Sequence, residues 1–325
     1  MKTPDLWRHA GVVSTLLLPL AAAFLLGGWL RRRFATPYHA PVPVFCVGNL
    51  TAGGAGKTPV AISIASRLMS QGISVHFLSR GYGGRLTGPL RVNAAGHAAA
   101  DVGDEPLLLA RHAPTWIARD RAAGAKAAAE AGAELIVMDD GLQNPHLVKD
   151  LSLVVVDGAY GFGNSRIIPA GPLREPIATG LSRADAVVLM GPDEAHAVQQ
   201  LGTQIPVLHA SIEAAPDETL AGQAVVAFAG IGRPEKFFAT LETLGCRLAA
   251  RHAFADHHPY SAAELDGLLS EAAAAGAIPI TTEKDWMRLS TAYRDKVRAL
   301  PVSVDWRDPA ALKALLDRIL PKIKG

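Results

Sequence analysis

The sequence has few of the residues on which metal-binding and nucleic-acid-binding proteins depend. Its 325 residues include two cysteines, Cys46 and Cys246, which lie far apart in separate apolar runs. Neither belongs to a CxxC pair, so we expect no metal site there, only two buried thiols in a reducing compartment. The formal net charge of +2 lacks the basic excess typical of nucleic-acid-binding proteins. We therefore expect no nucleic-acid partner.

Long repeats and low-complexity tracts are also missing. Hydrophobic residues make up 49% of the chain and charged residues 19%, a composition that supports a substantial core and argues against wholesale disorder. The length suffices for one large α/β unit or for two smaller domains.

One long uncharged stretch lies near the start of the chain. Residues 11–30 read GVVSTLLLPLAAAFLLGGWL, about the length of a bilayer core, and three arginines follow at 31–33. A signal peptide carries its basic residues before the apolar run, whereas this order predicts that the rest of the chain faces the cytoplasm. A span, an interfacial helix and a buried core helix remain open. Trp7 and Trp29, together with the arginines, favour association with a membrane.

After this segment, short apolar runs alternate with alanine-rich segments of helical spacing, such as 122–133 and 262–275. The nearly continuous hydrophobicity of the runs predicts a parallel sheet covered on both faces, which is the α/β pattern. The predicted strands are residues 42–47, 74–78, 135–138, 153–156, 186–189, 207–210, 224–228, 278–281 and 302–304.

A phosphate-binding loop is the strongest local motif. Residues 44–59 read VFCVGNLTAGGAGKTP, which is an apolar strand, a glycine-rich turn and the start of a helical pattern. Backbone N–H groups of such a turn converge on phosphates, the lysine reaches the outer phosphates and the threonine hydroxyl holds Mg²⁺. The usual pattern begins with glycine where this chain has threonine, so a plain glycine-rich connector is the alternative. The predicted nucleotide-binding residues are Thr51, Ala52, Gly53, Gly54, Ala55, Gly56, Lys57 and Thr58.

A polar stretch with proline and glycine at 214–223 predicts a domain boundary. We accordingly predict an N-terminal membrane helix with its basic flank at 1–35, a P-loop domain at 36–218 and a second, smaller α/β domain at 219–325. The turn at 229–234 after the predicted strand 224–228 lacks a full dinucleotide fingerprint, and we interpret it as the entry to a helix.

Two carboxylates end the apolar run 135–138. In P-loop enzymes a core strand near the loop ends in an acid that holds Mg²⁺, directly or through water, so Asp139 and Asp140 are predicted metal-binding residues together with Thr58. Taken alone, strand-end aspartates are equally often turn formers or helix caps. The neighbouring phosphate-binding loop favours the metal-binding interpretation.

Several further loops carry residues suited to chemistry. They are SRGYGG at 79–84, DVGDEP at 101–106, the arginine- and proline-bearing loop 164–176 and FADHHPY at 254–260. Taken one at a time, each is explained as well or better by an exposed turn, a helix cap or a stiff connector. The run TTEKD at 281–285 lacks the spacing of a guanine-binding element, which argues against a GTPase.

Taken together and in this order, the motifs GNLTAGGAGKTP, SRGYGG, DVGDEP, DDGLQNPHL, IIPAGPLREP, FADHHPYS and TTEKDW resemble the tetraacyldisaccharide 4′-kinase (lipid A 4′-kinase) family. The resemblance extends from about residue 11 to residue 286. The threonine at the first position of the phosphate loop is part of that family's pattern.

The resemblance implies two α/β domains around a cleft and transfer of phosphate from ATP, with Mg²⁺, to the 4′-hydroxyl of lipid A disaccharide 1-phosphate, giving lipid IVA. It implies that Asp104 is the general base, assisted by His257, and that Lys57 acts on the phosphates. It further implies an enzyme of the bacterial inner membrane whose catalytic domains face the cytoplasm. The implied substrate- or nucleotide-binding residues are Arg80, Tyr82, Arg121, Gln143, Arg174 and Glu175.

The implied partners are an acylated glucosamine disaccharide 1-phosphate and membrane lipid, with no obligate protein partner. Two other functions share the phosphate-binding loop: a membrane-tethered nucleotide switch or ATPase, and a soluble kinase for a small metabolite. The first has no need of the acids and histidine downstream, and the N-terminal apolar segment argues against the second.

Overall fold

The structure, a computed structural model, describes residues 4–202, 205–215, 217 and 219–324. Thirteen strands lie in this part of the chain. They are β1 (Val44–Gly48), β2 (Val75–Ser79), β3 (Leu90–Arg91), β4 (Thr115–Ile117), β5 (Leu135–Asp139), β6 (Leu151–Asp157), β7 (Ala186–Met190), β8 (Val207–Ala214), β9 (Ala224–Ala229), β10 (Arg247–Ala253), β11 (Ile278–Thr282), β12 (Arg298–Leu300) and β13 (Val302–Trp306).

The helices alternate with these strands, as the sequence pattern predicts. They are α1 (Val12–Leu16), α2 (Leu18–Arg33), α3 (Lys57–Met69), α4 (Ala99–Val102), α5 (Asp104–Leu109), α6 (Arg121–Glu130), α7 (Ile177–Leu181), α8 (Pro234–Thr243), α9 (Ala262–Ala274), α10 (Glu283–Trp286), α11 (Thr291–Arg294), α12 (Pro309–Leu316) and α13 (Pro321–Lys324). Short 3-10 helices lie at Asp5–Trp7 and Ala197–Gln200.

The strands form two sheets. The larger sheet has the order β13-β8-β7-β6-β1-β5-β2-β4-β3 and is parallel except for the two edge pairs, β13 with β8 and β4 with β3. The smaller sheet, β10-β9-β11-β12, is parallel throughout. Because β1 lies between β5 and β6, the loops that follow β1 and β5 meet at one edge, which is where open α/β sheets bind ligands.

The larger unit, meaning the larger sheet with its helices, has a core on both faces. Buried residues of α3 such as Ile64 and Leu68 share one core with Leu312 and Leu316 of α12. Alanines of α6 and residues of β1, β5 and β6 form the core of the other face. Both cysteines are free and buried, as predicted.

The second unit differs from the prediction of a domain at 219–325. The smaller unit is built on β9 to β12, between residues 224 and 300, whereas β13 returns to the larger sheet and pairs with β8. The indole Nε1 of Trp306 donates to Ser63 Oγ in α3 at 2.9 Å. We predicted β13 as part of the second domain because it follows that domain in the sequence. Its partner β8 lies about ninety residues earlier, in the larger sheet. Residue 218, at the predicted boundary, and residues 1 and 325, at the outer limits, lie outside the described residues.

The N-terminal segment forms two helices that meet at Leu17 and contact the larger unit through the loop before β7. Trp7 Nε1 donates to Pro169 O at 2.9 Å, and Arg166 Nη1 donates to the hydroxyl of Ser14 at 2.8 Å. None of the helices within the described ranges combines the length and the hydropathy that crossing a membrane requires. Many large apolar side chains of this segment are nevertheless exposed: Val12, Val13, Leu16, Leu18, Leu20, Phe24, Leu26, Trp29, Leu30 and Phe34.

Candidate active site

The predicted phosphate-binding loop lies between β1 and α3. Gly56 precedes α3 with φ of 88°, a conformation that favours glycine, and Lys57 and Thr58 occupy the first turn of the helix. Gly53 also has a positive φ, 121°, and is exposed together with Gly54. The N-terminus of a long helix and an open glycine turn together form a cradle for phosphates.

Thr51 shows why the first glycine of the usual pattern is dispensable here. Its φ is not positive, and it forms an antiparallel bridge with Leu173, while Ala52 N donates to Pro172 O at 2.8 Å. The beginning of the loop is therefore paired with a neighbouring segment in a conformation that does not require glycine.

Asp139 at the end of β5 lies beside the first turn of α3. Thr58 Oγ1 donates to Asp139 Oδ2 at 2.9 Å, and Asp139 Oδ1 is buried with no hydrogen-bond partner among the described residues. Burial, reinforced by the charge of Glu105, raises the pKa of Asp139 to about 7. A buried carboxylate oxygen without a partner beside a threonine hydroxyl is a site that a cation would complete.

Asp140 has the opposite electrostatic environment. Burial opposes its ionisation, but Lys57 and Arg174 outweigh burial and lower its pKa to about 2. Lys57 Nζ lies 3.9 Å from Asp140 Oδ2, and Arg174 Nη1 donates to Oδ1 at 2.7 Å. The φ of Asp140 is 55°, a conformation that costs energy for a residue other than glycine and that is typical of functional sites.

Asp104 and His257 meet across the boundary between the two units. His257 Nδ1 lies 3.0 Å from Asp104 Oδ2, with Asp104 5% exposed, and Glu105 N donates to Oδ1 at 2.9 Å. Arg288 Nε also donates to Oδ2, at 2.7 Å. Burial disfavours the charged carboxylate, but His257, Lys284 and Arg288 outweigh it and hold the pKa of Asp104 well below its usual range.

His257 faces further polar groups besides Asp104. Its φ is 59°, its ring meets that of Tyr82 edge-on with 6.0 Å between centroids, and its Nε2 lies 3.4 Å from Lys284 Nζ. Lys284 in turn donates to Glu105 Oε1 at 3.0 Å. Helix α5 contacts α3, the helix that begins with Lys57 and Thr58, and the charge of Glu105 also raises the pKa of Asp139.

Arg121 lines a basic cavity at the base of the N-terminal helices. It is buried, donates to Ala118 O, and burial lowers its pKa to about 10, which leaves it charged. The cavity has a volume of about 440 Å³. Its walls come from the end of α2, the start of α6 and the loop after β5: Arg31, Thr36, Arg119, Asp120, Arg121, Ala122 and His146.

Gln143, Arg174 and Glu175 form a network behind Asp140. Gln143 Nε2 donates to Glu175 Oε1 at 3.0 Å and to the backbone of Asn49 at 2.8 Å. Glu175 is buried and accepts from Arg183 Nη2 at 2.5 Å. These three predicted ligand-binding residues therefore also fix the loops that carry Asp140.

The remaining predicted binding residues, Arg80 and Tyr82, are exposed on the loop after β2. This loop packs on the turn before α5, since a Cβ at Gly103 would lie 2.4 Å from Tyr82 O. The sequence did not point to Arg288 or Lys284. The signal was the TTEKDW motif, which contains Lys284 and ends two residues before Arg288; we assessed it as a guanine-binding element and as part of the family resemblance, without assigning a role to either residue.

The site has a phosphate cradle on a parallel sheet, and the neighbouring strand ends in an acid. A carboxylate–histidine pair joins the two units beside it. These features together define a P-loop phosphotransferase. The comparisons give the particular family. The family model described as "Tetraacyldisaccharide-1-P 4′-kinase" matches residues 13–321. The chain belongs to this family.

Individual relatives support the same family assignment. The chain is 56% identical to the tetraacyldisaccharide 4′-kinase of Rhodospirillum centenum, over 98% of this chain and 97% of that one. It is 53% identical to that of Paramagnetospirillum magneticum, over 98% and 99%. The crystal structure described as the "apo" form of LpxK from Aquifex aeolicus in complex with ATP has a TM-score of 0.77 and 30% identity, covering 95% of this chain and 99% of that one.

Proposed function

We propose that this protein transfers the γ-phosphoryl group of ATP to the 4′-hydroxyl of an acylated glucosamine disaccharide 1-phosphate, giving lipid IVA. In this step the bond between the γ-phosphorus and the β–γ bridging oxygen breaks, and a bond from the 4′-oxygen to the same phosphorus forms. The proton of the hydroxyl passes to Asp104, and ADP leaves.

The observation that carries this proposal is the Asp104–His257 pair beside the phosphate-binding loop. A sugar hydroxyl is a weak acid, so a base is useful late in the transfer, when the oxygen already bonds to phosphorus. A protein that only hydrolyses nucleotide to switch a partner has no need of an ionised carboxylate held by a second unit at this place.

ATP would lie on the loop 51–58, with Lys57 on its outer phosphates and the start of α3 facing their charge. Thr58 and Asp139 fit a magnesium ion, and Asp140 lies beside them. Mg²⁺ in phosphotransferases is commonly bound by one or two protein oxygens together with the substrate phosphates, and Thr58 and Asp139 would supply those oxygens. When bound, Mg²⁺ would neutralise charge on the transferred group.

We further propose that α1 and α2 lie in the interface of the inner membrane with both units on the cytoplasmic side. Their exposed apolar residues suit the acyl region, and the arginines at 31–33 suit anionic headgroups. The basic cavity at the base of α2 then lies where an anionic sugar lipid would enter.

The decisive assay combines the full-length protein with ATP, Mg²⁺ and the disaccharide lipid in detergent micelles. We expect phosphate on the distal sugar, and we expect no transfer when the 4′-position already carries phosphate. ATP turnover that the lipid does not change would contradict the kinase proposal.

Flotation with anionic phospholipid vesicles tests the membrane proposal. Replacing Leu20 and Leu26 by serine should weaken vesicle binding by about 100-fold, since each buried leucine side chain contributes about 1.5–3 kcal/mol. Replacement of the exposed Val198 and Ile212 by serine is the matched control and should leave vesicle binding unchanged. Equal losses in both variants, or none in either, would place the membrane contact elsewhere.

A further inference from the structure

Arg288 links the two units at the proposed general base. It follows α10 in the smaller unit, and its side chain is 6% exposed. Its Nε donates to Asp104 Oδ2 at 2.7 Å, and its Nη2 lies 2.6 Å from the same oxygen. The two charges therefore form a buried ion pair across the boundary between the units.

Arg288 is itself held firmly by the smaller unit. Its Nη1 donates to Gly230 O at 2.8 Å and to Asp285 Oδ1 at 2.7 Å. Asp285 is fully buried and also accepts from Gly230 N at 3.0 Å, Tyr260 Oη at 2.9 Å and Thr282 Oγ1 at 2.6 Å. These bonds hold the guanidinium in one orientation through Nε and Nη1, while Nη2 is buried and makes only the ion-pair contact with Asp104.

The contacts leave one hydrogen-bond acceptor position of the Asp104 carboxylate open. Oδ2 receives His257 and Arg288, and Oδ1 receives one hydrogen bond, from Glu105 N. A carboxylate has about four acceptor positions, two on each oxygen, so the open position is on Oδ1. A sugar hydroxyl would meet the base there.

We propose, resting on the kinase function above, that Arg288 is a positioning residue which, anchored by Asp285, orients the Asp104 carboxylate from the smaller unit so that Oδ1 faces the acceptor hydroxyl. His257 and the guanidinium of Arg288 then contact the same oxygen, Asp104 Oδ2, so His257 does not orient the base alone. The position of the smaller unit therefore sets the orientation of the Asp104 carboxylate.

Three ionisable side chains act on Asp104, namely those of His257, Lys284 and Arg288, while Glu105 contacts it through its backbone N–H. Lys284 is balanced by its ion pair with Glu105, so loss of the guanidinium leaves the buried carboxylate with less positive charge around it. The pKa of Asp104 would then rise, and the acid limb of its carboxyl titration, followed by ¹³C NMR of labelled aspartate, would rise with it.

The test measures kcat, the KM for ATP and the ¹³C carboxyl titration of Asp104 for Arg288→Gln and Arg288→Lys in the full-length protein. We expect Arg288→Gln to lower kcat about 100-fold, to leave the KM for ATP within about threefold and to move the acid limb upward by about one pH unit. Arg288→Lys should recover part of both effects, and guanidinium ion added to Arg288→Gln should raise kcat.

Arg294→Gln is the matched control. Arg294 lies in the same unit and donates to Leu289 O and Met287 O, so its loss should lower thermal stability without moving the acid limb. If Arg288→Gln behaves like Arg294→Gln, or if KM for ATP rises as far as kcat falls, Arg288 has no positioning role.

A second variant covers the case in which Arg288→Gln does not fold. Asp285→Asn leaves the guanidinium in place but weakens its anchor, and it should move the acid limb in the same direction by a smaller amount. An unchanged carboxyl titration of Asp104 in Asp285→Asn would overturn the proposal. Wild-type protein that transfers no phosphate to the lipid would instead contradict the kinase function itself, so the two failures are distinguishable.

Discussion

Replacement of Asp104 by asparagine tests the proposed base most directly. Asparagine has almost the same shape, and its oxygen can still accept from Glu105 N. Its amide group, however, would face His257 and Arg288 in place of Oδ2, so that donors would meet donors. The substitution removes the proton acceptor and also the negative partner of a buried arginine.

The size of both effects follows from the contacts. A positioned general base contributes about 10²–10⁴ in rate, or about 3–5 kcal/mol of the barrier, and we expect kcat to fall about 10³-fold. None of the contacts of Asp104 within the described part of the chain involves the loop 51–58, so the KM for ATP should change less than about threefold. Removing one partner of a buried ion pair should also cost about 3 kcal/mol of folding stability.

The pH dependence of stability gives an independent check. The pKa of Asp104 is lower in the folded protein than in the unfolded chain, so its stabilising effect is fully present above the unfolded value, about 3.9, and is lost as pH falls through the folded value. The difference in unfolding free energy between wild type and Asp104→Asn should therefore be constant from pH 6 to pH 8 and shrink below about pH 4.

Single-turnover transfer from labelled ATP at saturating lipid measures the rate, and calorimetry measures the stability. Asp101→Asn is the control, because Asp101 pairs with the exposed Arg85 near the surface and should retain full activity. A fall in kcat matched by an equal rise in the KM for ATP would show that Asp104 serves the nucleotide, and a kcat within threefold of wild type would refute the base assignment.

Two further predictions concern the larger unit. Asp139→Asn should weaken binding of ATP with Mg²⁺ at least tenfold while leaving metal-free ATP binding within about threefold, because it removes the carboxylate suited to the cation; titration calorimetry with and without Mg²⁺ checks this, and equal losses in both would contradict it. Leu316→Ala should lower the unfolding free energy by about 2–5 kcal/mol, since this leucine is 1% exposed in the core shared with α3; denaturant unfolding measures it, and a change below 1 kcal/mol would show that α12 does not complete that core.

Local features of the site could be predicted from the sequence. The loop 51–58 and the acids after β5 carry strand, turn and helix signals within about fifteen residues, and the structure brings them together because β1 and β5 are neighbours. Strands with weak hydrophobic signals were missed. Strand β10 alternates between exposed and half-buried residues at a sheet edge, and β4 and β12 have three residues each.

Contacts between distant parts of the chain could not be predicted in this way. Arg288 lies 184 residues from Asp104, and the neighbouring TTEKDW motif does not indicate which distant residue Arg288 contacts. Strand β13 was predicted correctly as a strand, but its partner β8 depends on how the whole sheet closes. Periodicity and capping report on local backbone, whereas these pairings depend on tertiary packing.

The return of β13 and α12 to the larger sheet has a consequence for folding during synthesis. The ribosome completes α3 early, but the residues that cover Ile64 and Leu68 come after the whole smaller unit, residues 224–300, has been made. The nascent larger unit therefore carries an uncovered apolar face while the smaller unit emerges, and it is most exposed to aggregation in that interval. The core that contains Ile64 and Leu68 is completed only once residues 302–316 have left the exit tunnel.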